Sequence, residues 1–179
     1  MNKVYKISDA LEILKIEEDD KAARNKLFYW INARGFTNPV EQGRRRGART
    51  KLSIFNLIEL AFATKLANLG IEYGFIERIL KTQLDVCVEL DEEGKYTKPG
   101  IFSRYMEMVC YYYRKHRNER NAHFFVVIYK KDDNYEFWLI GYPGRTTLED
   151  IMKKRDYALV IVDLFEILRD LEKKTRELI

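Results

Sequence analysis

The 179-residue chain predicts an α+β protein, and three observations predict it. Residues 1–82 place apolar side chains at helical spacing around a glycine-flanked basic loop. Residues 124–142 hold two runs of β-branched and aromatic residues about a polar turn, which is a hairpin signal. Tyr157 to Val162 then forms a short apolar run ahead of a last helical pattern that begins at Asp163. The implied organisation is a helical unit over 1–82, a charged linker over 83–100, and a small α/β unit over 101–179 with a β-hairpin, a third strand and a terminal helix.

Each N-terminal element has its own signal. Ser8 is placed to cap a first helix, with Asp9 at its positive end and Leu11 and Leu14 along one face. Glu17-Glu18-Asp19-Asp20 is an acidic turn that suits the start of a second helix, although the same acids would repel a phosphate. That helix runs from about Lys21 to Arg34, with Ala23, Leu27, Trp30 and Ile31 as its apolar stripe. Lys21, Arg24, Asn25, Phe28 and Asn32 lie off the stripe. Gly35 is a stop and Pro39 prevents resumption. Ser53 caps a third helix with Ile54, Leu57, Ile58, Ala61, Phe62, Leu66 and Leu69 on its apolar face, and Gly70 ends it. A fourth follows from Ile71 to Leu80, with Ile76, Ile79 and Leu80 inward.

Between the second and third helices, Gly43 to Lys51 carries five cations in nine residues: Arg44, Arg45, Arg46, Arg49 and Lys51. Such a loop cannot be buried without partners for its charges, so it faces water or a polyanion. Arginine presents planar donors that fit phosphate oxygens bidentately. The formal charge of +4 is uneven: residues 1–82 have 15 Lys/Arg against 10 Asp/Glu, and the remainder is nearly balanced. A local basic patch on an almost neutral body points to a polyanion site at one end.

In order, these residues resemble the DNA-binding domain of MerR-type regulators over about residues 4–82. Tyr5-Lys6-Ile7-Ser8 with Ala10 and Leu14 is similar to the opening of that family's first helix. Trp30 to Gly35-Phe36 with Pro39 is similar to the end of its second. Gly47-Ala48-Arg49 resembles the Gly-aromatic-Arg of the wing, with Ala48 in the aromatic slot. Leu69-Gly70-Ile71, Ile76 and Ile79-Leu80 resemble the start of the fourth helix. This chain departs from the pattern in a longer stretch between Leu14 and Trp30, and in Trp30 standing one position out of register. The resemblance implies an N-terminal winged helix-turn-helix that binds duplex DNA as a homodimer. Arg44, Arg45, Arg46, Arg49 and Lys51 would then neutralise phosphates, while Lys21, Arg24 and Asn25 would reach base edges. The alternative is an architectural or adaptor protein with the same winged fold, serving recombination, segregation or packaging with little sequence choice.

The C-terminal half predicts a helix from about Ile101 to Arg117, with Phe102, Tyr105, Met106, Val109, Cys110 and Tyr113 inward. The hairpin pairs Phe124–Tyr129 with Tyr135–Tyr142, and Thr146 with Glu149 resembles a capping box for a short helix. In the last helix Leu164, Leu168, Leu171 and Leu178 are spaced either to dock on the sheet or to form a dimer seam. Tyr111, Tyr112, Tyr113, Phe124, Phe137, Trp138 and Tyr157 read as core or, alternatively, as an effector pocket.

Cys87, Cys110, His116 and His123 fit no metal-ligand spacing, so neither a metal nor another cofactor is expected. Asp132 and Asp133 lie in a turn, where acids are common for conformational reasons, and no nucleophile–base arrangement or phosphate-binding glycine motif is present. The expectation is therefore a non-enzymatic transcription regulator. It is expected in the cytoplasm, because the N-terminus has no signal-peptide core and no apolar run approaches membrane-spanning length.

Overall fold

The computed structural model describes residues 4–16, 20–37, 39–40, 50–81, 102–119, 122–131, 134–141 and 159–176. Both small sheets are antiparallel, and the chain is mixed helix and strand as its pattern implied. The expected linker, the capping box at Thr146, and Leu178 lie outside the described residues.

Strand β1 (Tyr5–Lys6) pairs antiparallel with β2 (Lys51–Leu52), Tyr5 opposite Leu52 and Lys6 opposite Lys51. Helix α1 (Ile7–Leu14) follows β1 directly. Its cap differs from expectation. Ser8 lies inside the first turn, and the Asp9 carboxylate reaches back to accept the Lys6 N–H at 2.8 Å. The acid at the third helical position thus does the work assigned to Ser8. Helix α2 (Asp20–Phe28) runs on into a π turn (Tyr29–Ala33), in which the Arg34 N–H donates to the Tyr29 carbonyl at 3.0 Å. A π turn carries one residue more than an α turn. Gly35 then leaves the helix at φ +60°.

Helix α3 (Ile54–Asn68) is the centre of the molecule. Ser53 caps it as expected: its Oγ accepts the Asn56 N–H at 3.3 Å while Asn56 Oδ1 accepts the Ser53 N–H at 2.7 Å. Leu57, Ile58, Leu60, Phe62, Ala63 and Leu66 are buried, each large one contributing roughly 1.5–3 kcal/mol of burial free energy. Leu69, expected on the apolar face, is 48% exposed because it belongs to the turn that ends at Gly70. Helix α4 (Tyr73–Lys81) turns Ile76, Ile79 and Leu80 inward.

Helix α5 (Phe102–His116) packs on α3 and α4 through a face that includes Val109, Cys110 and Tyr113. Strands β3 (Phe124–Lys131), β4 (Asn134–Gly141) and β5 (Leu159–Asp163) form a sheet in the order β4-β3-β5. Phe124, Val126 and Ile128 face the common core from β3. Asp163 ends β5 and caps α6 (Leu164–Thr175), its Oδ1 accepting the Phe165 N–H at 2.9 Å.

Helix α6 lies against α3, α5 and β3 and touches α1. Leu164, Leu168 and Leu171 are buried there within the single chain. Of the two readings of this leucine face, docking is the one observed. A dimer seam through Leu168 and Leu171 is corrected, since both side chains are already covered. Tyr113 on α5 donates its hydroxyl to Glu172 on α6 at 2.9 Å, and Arg117 holds the same carboxylate at 3.1 Å. Burial and that bond both raise the tyrosine's pKa. One cluster of buried residues extends from Tyr5 to Leu171, so helices from both halves of the sequence share a core.

Candidate nucleic-acid interface

The outward face of α2 is set by what its inward face buries. Ala23, Leu27, Trp30 and Ile31 are all at most 3% exposed and hold the helix to the core. Helical periodicity then forces the intervening positions outward. Lys21, Arg24, Asn25, Phe28 and Asn32 are all exposed, as their spacing required. The side chains of Arg24 and Asn25 make neither a hydrogen bond nor an ion pair among the described residues. Their donors and acceptors are committed to nothing else in the described fold.

The far end of α2 is fixed by an aromatic cluster. The Trp30 ring lies 5.7 Å from Phe36 and 5.9 Å from Tyr73, centroid to centroid, and Lys26 Nζ sits 5.5 Å above it. Trp30 Nε1 is buried with no hydrogen-bond partner among the described residues. Arg34 donates to the Tyr29 hydroxyl at 2.7 Å and reaches Glu77 on α4 at 3.4 Å. Those bonds favour its charged form and turn it to a structural use, although it opens the basic stretch of the sequence.

Arg44, Arg45, Arg46 and Arg49 lie outside the described residues. The segments that flank them are described. Thr37 on one side is 4% exposed and Thr50 on the other is 5% exposed. Thr37 donates to the Glu59 carboxylate and accepts from Asn56 Nδ2 at 2.7 Å. Burial pushes the Glu59 carboxyl up to about 7, against the opposing hydrogen bonds from Thr37 and Asn56. This network ties the entrance of the loop to the first turns of α3, and the β1–β2 ribbon ties its exit to the start of α1. Lys51, in β2, is half-buried and stands opposite the exposed Lys6. Two like charges at one register position disfavour pairing unless an anion or acid offsets them.

Lys6 and the Thr37–Asn56–Glu59 network were not singled out from sequence. Lys6 had no local signal, because its relation to Lys51 is a matter of strand register. Glu59 did have one: it is an acid set between the apolar pair Leu57-Ile58 and the apolar run Leu60-Ala61-Phe62.

The other groups weighed in the sequence are placed as follows. Cys110 is buried on α5, and Cys87 lies outside the described residues. His116 Nδ1 meets Glu119 at 2.8 Å, and His123 Nδ1 meets Asp163 at 2.7 Å. Among the described residues no three potential ligands converge on a metal position. Tyr113 and Phe124 both pack on Phe165, with centroids 5.2 and 6.3 Å away, and belong to the core. The side chains of Phe137 and Trp138, and Asp132, Asp133 and Tyr157 altogether, lie outside the description. A cavity of about 220 Å³ opens instead between α1, α3 and α6, lined by Ile13, Leu14, Ala61, Lys65, Ile167 and Asp170 among others, none of them aromatic. Among the described residues no helix is long and apolar enough to cross a membrane.

The sequence matches no protein-family model and no curated protein. The functional reading rests on the residues themselves.

Proposed function

We propose that this chain is a DNA-binding transcriptional regulator. In this reading, residues 4–82 act as a MerR-like winged helix-turn-helix, and the protein engages duplex DNA as a homodimer. The observation that carries it is the outer face of α2, where Arg24 and Asn25 are exposed and uncommitted on a helix whose other face is anchored by Leu27 and Trp30. Arginine pairs bidentately with guanine and asparagine with adenine in the major groove, so free ends of these two types on one helix suit base reading. Lys21 stands one turn earlier. The basic loop between the anchored Thr37 and Thr50 supplies phosphate contacts through Arg44, Arg45, Arg46 and Arg49, and Lys51 of β2 adds a fifth.

Selection from random duplexes tests this directly. A single enriched sequence is expected, and Arg24→Ala or Asn25→Ala should relax preference at one or two positions, costing about 1–3 kcal/mol where a bidentate contact is lost. Salt-labile binding with no enriched sequence would instead favour the architectural reading. No binding to any duplex would remove both.

A further inference from the structure

The outer face of α2 carries one side chain that no polar role explains. Phe28 is 42% exposed. It belongs to a run of three aromatics, and its two neighbours are both engaged. Tyr29 packs on Tyr73 with centroids 6.5 Å apart and takes the hydrogen bond from Arg34. Trp30 is fully buried. Phe28 alone of the three has no ring or cation against it among the described residues. It is the last residue of α2 before the π turn, so Arg24 and Asn25 stand four and three positions before it in regular α-helix. Residues at those spacings are neighbours on one helix face. The surface therefore presents two uncommitted polar ends beside a bare apolar ring.

We propose that Phe28 is a specificity-determining residue that packs on the 5-methyl group of a thymine in the major groove. The proposal rests on the reading of α2 as the recognition helix. The major-groove edge of an A·T pair offers the thymine methyl beside the thymine O4 and adenine N6 and N7. Asparagine matches the adenine edge, and an apolar ring one turn further along matches the methyl. A phosphate contact would use no such ring, so the side chain fits the base edge and not the backbone.

The test removes only the methyl. In the duplex enriched by the full chain, each thymine is replaced in turn by deoxyuridine, and Kd is measured at fixed salt for the parent protein and for Phe28→Ala. One replacement is expected to weaken the parent by about fourfold, the equivalent of burying one methyl-sized group at about 0.8 kcal/mol. Phe28→Ala should be indifferent to that replacement, and Phe28→Leu should keep part of the response. The parent is unchanged in the uracil series, so its response cannot come from misfolding. If parent and Phe28→Ala respond equally, or if no thymine matters, the thymine contact is wrong while the DNA reading stands. If the parent binds duplexes but enriches none, sequence-specific reading by α2 fails and the thymine contact fails with it.

Discussion

At the scale of single residues, Glu59 is the most consequential buried group. It sits on α3 with its carboxylate hydrogen-bonded to Thr37, and burial lifts its pKa from 4.5 to about 7. A carboxyl raised in this way holds its proton more tightly in the folded chain than in the unfolded one. Its contribution to stability is therefore greatest below pH about 4.5, falls as pH rises to about 7, and is flat beyond. The full fall is on the order of 3 kcal/mol at most. Glu59→Gln keeps an acceptor for Thr37 and has no charge to desolvate. Urea midpoints for the parent should therefore fall relative to the variant between pH 5 and 7, with the two curves parallel above pH 8. Parallel curves throughout would mean that Glu59 ionises in the fold as freely as it does unfolded. Gly70 makes a simpler case. Its φ is +80°, and an added Cβ would meet nothing within 4 Å. Gly70→Ala should cost about 1–2 kcal/mol from the left-handed backbone alone, read as a lower melting midpoint with no change in affinity for DNA.

Among the elements, those with a complete local signal were legible before the fold was known. Asp163, Ser53, Gly35 and Gly70 mark helix ends by backbone chemistry that acts within a few residues, and each does so here. The inward sets of α2 and α4, and Val109, Cys110 and Tyr113 of α5, followed from 3.6-residue spacing. What the sequence could not show depends on distant partners. The leucines of α6 have one spacing whether they meet a sheet, a helix or a second chain, and only the packing of α3 and β3 against them decides it. The π turn is likewise a backbone event that spacing does not announce: it takes up one residue, and both Trp30 and Ile31 are buried. Of the candidate interface, α2 could be read from its spacing, whereas the Lys6–Lys51 juxtaposition needed a strand register. Leu168→Ala measures the corrected role of α6. A fully buried leucine on a helix that joins α3, α5 and β3 should cost about 2–5 kcal/mol, independent of protein concentration. A cost of the substitution that changes with protein concentration would return this leucine to an intersubunit seam.

For the molecule as a whole, the decisive quantity is where its positive charge lies. The excess is confined to residues 1–82, chiefly between Arg34 and Lys51, and Arg34 is drawn off to Tyr29 and Glu77. The remaining cations of that stretch are Arg44, Arg45, Arg46 and Arg49, flanked in sequence by the buried Thr37 and Thr50, and Lys51 in β2. Removing charges from the loop should therefore leave the fold intact and act on long-range affinity alone. Each phosphate contact releases counterions and contributes about 0.9 to the slope of log affinity against log salt. Arg45→Ala with Arg49→Ala should lower that slope by about 1.8 if both side chains meet phosphate. Specific and random duplexes should weaken by the same factor, because phosphate contacts carry no sequence information. The enriched sequence should not change. Arg24→Ala and Asn25→Ala should behave in the opposite way, changing preference more than slope. Titrations of both variant sets across 50–200 mM salt separate the two contributions. If the loop variant binds like the parent, the loop does not touch DNA. The acidic run from Glu17 to Asp20 beside a helix rich in exposed polar residues would then favour a protein partner with a basic surface, and the same titration would register no loss on either duplex.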